Sequence, residues 1–597
     1  MRKVLSIGVV GVLVVVGSSA WAGVISTENQ KAGQPGGWPV TLDGTAKGPG
    51  RVDVYPDQWS IRTGDSVHLK VRSTTSYSVR VFRLGYYQGY GARQVKLLTG
   101  FGADPQPYPH PDSTYGLAEA RWHDSVSIPT DSSWTPGIYV ARVEQPSGYQ
   151  GETFFVLRDD GRTRMPIVLV LPTATHQAYN AWPSAKRGGM SLYEFNSSGV
   201  VPSEARTSIG SFAQAVKVSW DRPFMVGGGT ADLGTWDYPL ARFLERNGWE
   251  VAYVTDEDVH ARPSVLDDRK AILWVGHSEY WSRGMFDHAL AKRNAGTPMM
   301  FATGNTIGFQ IRYESGAAGP QSTVVGYKQS WRSDPEQALA QSLESQGRYD
   351  DAARHYALVT RGWKALRYSP EHGIDERRPG MVLTGVTTAG AFSYWYPWAE
   401  LRVRNSSHWI WSNTGLGYNE TIRGAFGYEW DSTKLGDETW DRFRPRGEIR
   451  LGSIYDRDDR VRGSAGYYRH SSGAEVVAWS AIAFSWALDS FASGTAASIS
   501  PGAQRAVNNA LRRWTNASPL LADVITPESD GTPFVTDNML ALQSGDIALD
   551  ESHDPGEEHD EVTAGEASGG CTTGRSQGSA LGFVASVLAL GLVRRRR

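Results

Sequence analysis

The hydrophobic pattern of the chain changes near residue 160. Between Val52 and Phe155, short runs that alternate apolar and polar residues, such as SVHLKVRS and YSVRVFRLG, are separated by clusters of Gly, Pro, Asp and Ser. This pattern is typical of a β-sandwich, in which each strand buries one face. We therefore expect residues 23–160 to form an immunoglobulin-like β domain.

After residue 160 the apolar runs become continuous and alternate with helical segments. MPIVLVLP, WEVAYVT, KAILWVG and TPMMFATGN are predicted strands, while DYPLARFLERNG and GMFDHALAKRNAG are predicted helices. Continuous apolar strands that alternate with helices indicate a parallel sheet covered on both faces. Residues 161–515 are therefore expected to form an α/β domain, with a helical insertion at about 334–360.

Two of these predicted strands end in polar residues. KAILWVG is followed by His277, Ser278, Glu279 and Tyr280, and TPMMFATG is followed by Asn305. Ligands of open parallel sheets bind outside the carboxyl ends of the strands. The pattern therefore predicts a functional site at these two strand ends.

The N-terminal end has the features of a secretory signal peptide. Arg2 and Lys3 precede an apolar run from Val4 to Val16, and Ala20-Trp21-Ala22 fits the small-x-small cleavage pattern. We expect residues 1–22 to be removed and the protein to be exported. A transmembrane anchor is the alternative, but the run is shorter than the ~20 residues that span a bilayer.

The C-terminal end carries a second processing pattern. An acidic stretch, DESHDPGEEHDE, lies in a linker expected over 516–570, and Cys571 precedes a short apolar segment and four terminal arginines. Residues 571–597 resemble the myxobacterial sorting signal known as MYXO-CTERM. The resemblance implies that the processed protein is anchored at the cell surface or outer membrane of a Gram-negative, myxobacterial-type bacterium.

Composition narrows the choice of partner and chemistry. The net charge of −3 gives no reason to expect a nucleic-acid partner, and 22 Trp with 26 Tyr suit aromatic-lined clefts. Cys571 is the only cysteine, so the globular part has neither an intrachain disulfide nor a thiol nucleophile. The oligomeric state stays open, a homo-oligomer included.

A series of motifs from about Arg80 to Asp489 resembles the N,N-dimethylformamidase large (beta) subunit family. They are VFRLGYYQGYGAR, VSWDRPF, YPLARFLERNGWEVAYVTDEDVH, VGHSEYWS, YK…DP, NSSHWIWSNTGL and GYEWD. The resemblance implies a β domain followed by an α/β core like that of class I glutamine amidotransferases. It also implies hydrolysis of a small amide at a non-peptide C–N bond, by a mononuclear Fe(III) held by two tyrosines and a glutamate.

The resemblance suggests three metal ligands. Phenolate and carboxylate oxygens are hard, anionic ligands that suit Fe(III). Tyr280 in HSEYW and Tyr238 in WDYPLARFLER are the expected phenolates, with simple packing roles as the alternative. Gln310, a neutral amide, occupies the position expected for the carboxylate. Glu314 is the nearest carboxylate, on the same strand and face, unless it is only an exposed strand-end charge.

Five further residues are candidates for catalysis or substrate binding. Glu429 in GYEWD stands beside aromatic residues, a setting that raises a carboxyl pKa by desolvation, and is expected to act as an acid or base. His277 and Glu279 are expected catalytic groups, and Asn305 and His408 expected substrate-binding groups. A structural ion pair for Glu429, a strand cap for His277 and a turn role for Asn305 are the alternatives.

Two other functions are compatible with the sequence. A non-catalytic surface protein could keep the same fold and bind glycan or a partner with its aromatic cleft. A hydrolase based on Ser278 is disfavoured, because His277, its neighbour on the strand, points to the opposite face and is badly placed as the base.

Overall fold

The structure is a computed structural model that describes most of the chain between residues 23 and 517. The described ranges are 23–35, 38, 52–160, 164–183, 187–193, 214–225, 227–391, 399–427, 429–433, 442–489 and 499–517. The predicted signal peptide, nearly all of the predicted linker and the predicted sorting signal lie outside them. Every described residue lies within the unit Met1–Glu558.

The N-terminal region consists of two sheets. Its elements are α1 (Val24–Glu28), β1 (Val52–Pro56), β2 (Ser60–Ile61), β3 (Ser66–Ser73), β4 (Tyr77–Leu84), β5 (Ala92–Phe101), β6 (Val126–Pro129), β7 (Gly137–Glu144) and β8 (Gln150–Leu157). One sheet has the order β1-β3-β6 and the other β2-β8-β7-β4-β5. Apolar side chains from both sheets share one core. Two sheets packed on one core agree with a sandwich, while its immunoglobulin-like character stays a prediction.

Strand β7 is buried on both of its faces. Tyr139, Ala141 and Val143 point into the core between the two sheets. Ile138 and Val140, on the opposite face, belong to a second core that continues into the rest of the molecule. Successive side chains of a strand point to opposite faces. One face of β7 therefore packs inside the N-terminal region, and the other packs against the core that extends into the α/β region.

The remainder of the described chain mixes strands with helices. In chain order its elements are β9 (Ile167–Leu171), α2 (Thr173–Ala178), β10 (Lys217–Ser219), α3 (Tyr238–Arg246), β11 (Val251–Thr255), α4 (Asp256–Ala261), β12 (Ala271–His277), β13 (Tyr280–Ser282), α5 (Arg283–Asn294), β14 (Met299–Gly304), β15 (Phe309–Gly316), β16 (Gly319–Val325), α6 (Pro335–Ser345), α7 (Tyr349–Tyr356), β17 (Tyr368–Ser369), β18 (Ile374–Asp375), α8 (Met381–Thr384), β19 (Thr387–Ala391), β20 (Glu400–Val403), β21 (Thr421–Arg423), β22 (Glu429–Ser432), β23 (Ile449–Tyr455), β24 (Val461–Arg469), β25 (Glu475–Ala478) and α9 (Pro501–Thr515). The segment predicted as a helical insertion forms α6 and α7.

A nine-stranded mixed sheet organises this part of the molecule. Its order is β11-β9-β12-β14-β25-β24-β23-β20-β21. The first five strands pair in parallel and the others antiparallel. The four strands predicted from continuous apolar runs are β9, β11, β12 and β14, and their residues are buried on both faces. The protein is thus a multidomain, β-rich molecule with several sheets.

The strand order creates one point where the chain reverses direction across the sheet. From β9 the chain places β11 on one side and then β12 on the other. The crevice between the carboxyl ends of β9 and β12 is therefore a topological switch point, where open α/β sheets bind ligands. Within the described ranges, no helix has the length and apolar character needed to cross a membrane.

Candidate active site

The switch point gathers side chains from both strands that flank it. Helix α2 follows β9 and brings Thr175 and Tyr179 to the crevice, while β12 ends at His277 and continues into Glu279. Thr175 Oγ1 accepts hydrogen bonds from the backbone N–H groups of Glu279 (3.1 Å) and Tyr280 (3.2 Å). One hydroxyl on α2 therefore fixes the backbone of the HSEY segment.

His277 lies between two carboxylates. Its Nε2 atom is 3.2 Å from Glu279 Oε2 and 3.1 Å from Glu429 Oε2, and all three side chains are buried. Both contacts lie at ion-pair distance, and neither has the angles of a standard hydrogen bond. Burial alone would lower the pKa of His277, but the two carboxylates, Glu429 first, raise it to about 10. His277 is therefore an imidazolium at neutral pH.

Tyr179 contacts the same carboxylate from the other side. Its hydroxyl donates a hydrogen bond of 2.8 Å to Glu279 Oε2, and its ring lies 5.1 Å from that of His277. Burial raises the pKa of Tyr179 well above its usual value, and the negative charge of Glu279 adds to that effect. Although burial disfavours its charged form, Glu279 has a lowered pKa because His277 and Lys328 supply positive charge and Tyr179 a hydrogen bond.

Two further phenols surround Tyr179. The Tyr193 ring stacks on it at a centroid distance of 5.0 Å, and the Tyr280 ring meets it edge-on at 5.9 Å. The Tyr280 hydroxyl is buried beside that of Tyr179 and makes no hydrogen bond of standard geometry within the described residues. Two phenols thus pack against the tyrosine whose hydroxyl bonds to Glu279.

Lys328 adds a second buried cation to the cluster. Its ammonium lies 4.5 Å from the ring centroid of Phe309, 4.7 Å from that of Tyr193 and 5.4 Å from that of Tyr280. Such contacts with ring faces partly replace lost water for a buried cation. The charge of Lys328 also lowers the pKa of Glu279.

Glu429 reaches the cluster because two backbones approach closely. It opens β22, and a Cβ atom built on Gly304, at the end of β14, would lie 2.7 Å from the Glu429 carbonyl oxygen and 2.5 Å from the Ile482 nitrogen. Only glycine permits this approach. Glycine at position 304 therefore allows Glu429 to stand beside His277.

The loop after β14 lies next to the cluster around His277. Asn305 has a positive φ of 50°, and its Oδ1 accepts a hydrogen bond of 2.9 Å from Thr388 Oγ1. A Cβ atom built on Gly308 would lie 3.1 Å from Glu279 Cγ and 3.4 Å from Asn305 Oδ1, so the two side chains flank this glycine. Asn305 therefore borders the cluster, and its turn conformation agrees with the alternative role considered from the sequence.

The structure does not bring the other two expected ligands to this cluster. The Tyr238 hydroxyl is directed at the carbonyl oxygens of Gly85 (2.9 Å) and Gly91, in the N-terminal region. Glu314 pairs with Lys217 at 2.7 Å and with Arg312 at 3.2 Å on a partly exposed stretch of β15. It lies five residues beyond Phe309, the partner of Tyr280 in β13, or roughly 16 Å along the strand. The structure therefore places both residues outside the cluster around His277.

Two more expected residues have local structural partners. Gln310 Nε2 donates to the carbonyls of Ala357 (2.8 Å) and Val359 (2.9 Å), and so secures the segment after α7. The His408 ring packs against Tyr467 at 4.4 Å and Trp409 at 5.0 Å. Neither side chain contacts the cluster around His277 in the described part of the chain.

Tyr179, Tyr193 and Lys328 are the site residues that sequence reasoning missed. Tyr179 follows β9, the first predicted parallel strand, so the strand-end rule that found His277 applies to it equally. Lys328 stands in the YK motif, which carries part of the family resemblance. Tyr193 lies in a loop with no periodic signal.

The donors present fit a hard metal ion. Tyr179 Oη and Glu279 Oε2 are 2.8 Å apart, and the buried Tyr280 hydroxyl stands beside them. Phenol and carboxylate oxygens are donors of the type that hard cations prefer. Within the described ranges, no group of three or more His, Cys, Asp or Glu side chains is arranged as a metal site.

Comparison with known proteins supports one family. A family profile described as "N,N-dimethylformamidase beta subunit-like, C-terminal" matches residues 78–498, which is more than two thirds of the chain and includes every residue of the cluster. No curated protein matches the chain significantly. A Paenibacillus sp. cycloisomaltooligosaccharide glucanotransferase, solved with cycloisomaltoheptaose, has 11% identity and a TM-score of 0.15. That overlap covers 44% of this chain and 54% of the glucanotransferase, and it does not establish a shared fold.

Proposed function

We propose that this chain, which belongs to the N,N-dimethylformamidase beta subunit-like family, is a hydrolase that cleaves the C–N bond of small amides. The observation that carries the proposal is the buried cluster of Tyr179, Glu279, His277 and Glu429 at the switch point. A buried imidazolium between two carboxylates suits acid–base chemistry more than the binding of an extended glycan.

A mononuclear Fe(III) fits this cluster better than it fits the residues first expected from the sequence. Tyr179 and Glu279 would hold the ion, with a second phenol from Tyr193 or Tyr280. When bound, such an ion polarises an amide carbonyl and increases the acidity of a bound water. The family resemblance implies this metal, and the packing of Tyr193 and Tyr280 against the Tyr179 ring, whose hydroxyl bonds to Glu279, supports it.

The remaining side chains supply proton transfer and water exclusion. Glu429 accepts a proton from the attacking water and returns it to the amine as the C–N bond breaks, so amide and water give a carboxylic acid and a free amine. His277 pairs with Glu429 at 3.1 Å and so keeps this carboxylate beside the reacting atoms. The rings of Tyr193, Tyr280 and Phe309 limit access by bulk water, which strengthens each of these interactions.

Finer features of the fold and of cellular location are part of the same proposal. The two N-terminal sheets suit an immunoglobulin-like sandwich, and the parallel half of the nine-stranded sheet suits a core like that of class I glutamine amidotransferases. The sequence patterns at both ends favour export and anchoring at the surface of a Gram-negative, myxobacterial-type cell.

Amine release from N,N-dimethylformamide and formamide by the purified protein tests the function. We expect turnover by the wild type and a loss of at least about a hundredfold in Glu429→Gln, because proton transfer contributes 10²–10⁴-fold. Glu475→Gln is the control, since Glu475 is a buried carboxylate bonded to Arg513, and it should keep most of the activity. A wild type without turnover on either amide, or an active Glu429→Gln, would contradict the proposal.

A further inference from the structure

Arg222 is a fully buried arginine in the VSWDRPF motif, and the function proposed above gives it no role. Its four hydrogen bonds all go to the end of α2 and the residues that follow. Nη2 donates to the carbonyls of Asn180 (2.8 Å) and Gln177 (3.3 Å), Nη1 to that of Trp182 (3.4 Å), and Nε to Gln177 Oε1 (3.2 Å). These acceptors bracket Tyr179 on both sides.

The arrangement is unusual in its charge. Three other buried arginines, Arg83, Arg142 and Arg269, are each paired with a carboxylate, whereas the described contacts of Arg222 are neutral oxygens only. Burial without a carboxylate lowers the pKa of Arg222 to about 9, which leaves the guanidinium charged at neutral pH. Burial of a charge costs free energy. Hydrogen bonds to the carbonyls that have no partner at a helix end offset only part of that cost.

A second set of bonds joins the same two segments. Asn180 Nδ2 donates to the Pro223 carbonyl at 2.9 Å, and Asn180 Oδ1 accepts from the Met225 nitrogen at 3.1 Å. The segment that carries Arg222 is itself tied to the N-terminal region, since Asp221 accepts a hydrogen bond of 2.8 Å from the Tyr55 hydroxyl. The turn that carries Tyr179 is therefore held by a segment that lies outside the cluster.

We propose that Arg222 is a positioning residue that fixes the α2 turn so that the Tyr179 hydroxyl stays against Glu279. This inference rests on the proposed function, in which Tyr179 and Glu279 act together. Misplacement of a reacting group by about 1 Å costs on the order of a hundredfold in rate. A guanidinium with several donors in one plane can hold three carbonyls at once, which the single ammonium of lysine cannot.

The test compares Arg222→Lys with Arg269→Lys. Arg269 is the matched control, because it is also buried and bonded to carbonyls (Val265 and Met165), but it lies at the amino ends of β9 and β12. We expect Arg222→Lys to lower kcat at least tenfold with KM within about twofold. We also expect its amide hydrogens at residues 177–182 to exchange at least tenfold faster in the metal-free protein. Arg269→Lys should lose thermal stability by a similar amount without either effect.

Two outcomes would overturn the inference. One is a wild-type exchange rate at residues 177–182 in Arg222→Lys, and the other is an equal loss of kcat in Arg269→Lys. The exchange measurement needs neither metal nor substrate, so it decides the role of Arg222 even if the wild type proves inactive on amides. If Arg222→Lys does not fold, Gln177→Met removes one of the four bonds and should raise exchange in the same turn by a smaller factor. Unchanged exchange there would count against the inference.

Discussion

The Tyr179 hydroxyl donates a hydrogen bond of 2.8 Å to Glu279 Oε2, and this contact joins the ends of two neighbouring parallel strands. Tyr179 follows β9 through α2, and Glu279 follows β12 directly. The two residues are a hundred positions apart in sequence, yet the switch point of the sheet places them in contact. The candidate site is therefore a product of sheet topology, with His277 and Glu429 added on its other side.

The identity of the second phenol ligand is open to a direct comparison. Tyr193→Phe and Tyr280→Phe each remove one hydroxyl beside Tyr179 and keep the ring contacts. We expect one of them to lose bound iron and the other to retain it, because the cluster needs one phenolate besides Tyr179. Iron per chain, measured by atomic emission after purification, checks this. Full iron content in both variants would contradict the ligand set.

Tyr238→Phe and Glu314→Gln are the matching controls, because the structure places both residues outside the cluster. Tyr238→Phe should cost about 1–3 kcal/mol of stability through a lost buried hydrogen bond, with iron and activity unchanged. Glu314→Gln should alter only a partly exposed ion pair. Loss of iron in either variant would restore the assignments first expected from the sequence.

Gly304→Ala tests whether the close approach of β14 and β22 sets the position of Glu429. The added methyl would lie 2.7 Å from the Glu429 carbonyl and 2.5 Å from the Ile482 nitrogen, so one backbone must shift. We expect a loss of about 1–3 kcal/mol in stability and a larger fall in kcat than in substrate affinity. Gly102→Ala is the control, since no atom lies within 4 Å of its added methyl. Wild-type kcat in Gly304→Ala would contradict this account of the site.

The pH dependence of stability should report on Asp431, which is fully buried and accepts a hydrogen bond of 2.6 Å from Thr306 Oγ1. Burial raises its pKa to about 7, whereas an unfolded aspartate titrates near ~3.9. The folded chain therefore binds a proton more tightly than the unfolded chain. The contribution of Asp431 is greatest below about pH 4 and is lost as the pH rises through 7.

Asp431→Asn should remove this part of the pH dependence. Between pH 4.5 and 7.5, the free energy of unfolding of the wild type should fall by a few kcal/mol relative to that of the variant. This size follows from the difference between the folded and unfolded pKa values of Asp431. Urea unfolding at the two pH values measures it, with the exposed Asp124→Asn as control. Parallel curves for wild type and Asp431→Asn would show that the carboxyl titrates normally.

Removal of residues 571–597 tests the sorting signal expected from the sequence. The segment from Cys571 to the terminal arginines carries the resemblance to the MYXO-CTERM signal. We expect the truncated protein in the medium and the full-length protein in the surface fraction, as detected by immunoblot of the two fractions. A truncated protein that stays attached to cells would refute the assignment.

The sequence predicted the parallel strands because their apolar runs are continuous, and it predicted half of the site because polar residues follow one of those runs. His277, Glu279, Tyr280 and Glu429 do converge. Tyr238 and Glu314 do not join them. The Tyr238 hydroxyl faces the N-terminal region, and β15 carries Glu314 away from β13. The sequence pattern shows that a helix or a strand begins there, but it does not show which part of the molecule the side chain faces. Tyr193 lies in a loop and Lys328 begins a short 3-10 helix, and neither segment has a hydrophobic periodicity that reveals its course.

The visible absorption spectrum and iron content of the wild type, compared with those of Tyr179→Phe, test the central claim most directly. The claim is that Tyr179 and Glu279 form one centre at the switch point. We expect the purified wild type to hold about one iron per chain and to show a tyrosinate charge-transfer band. Tyr179→Phe should lose the band, most of the iron and the amide hydrolysis together. Iron and colour that persist in Tyr179→Phe, or a wild type that hydrolyses amides after complete removal of iron, would contradict the claim.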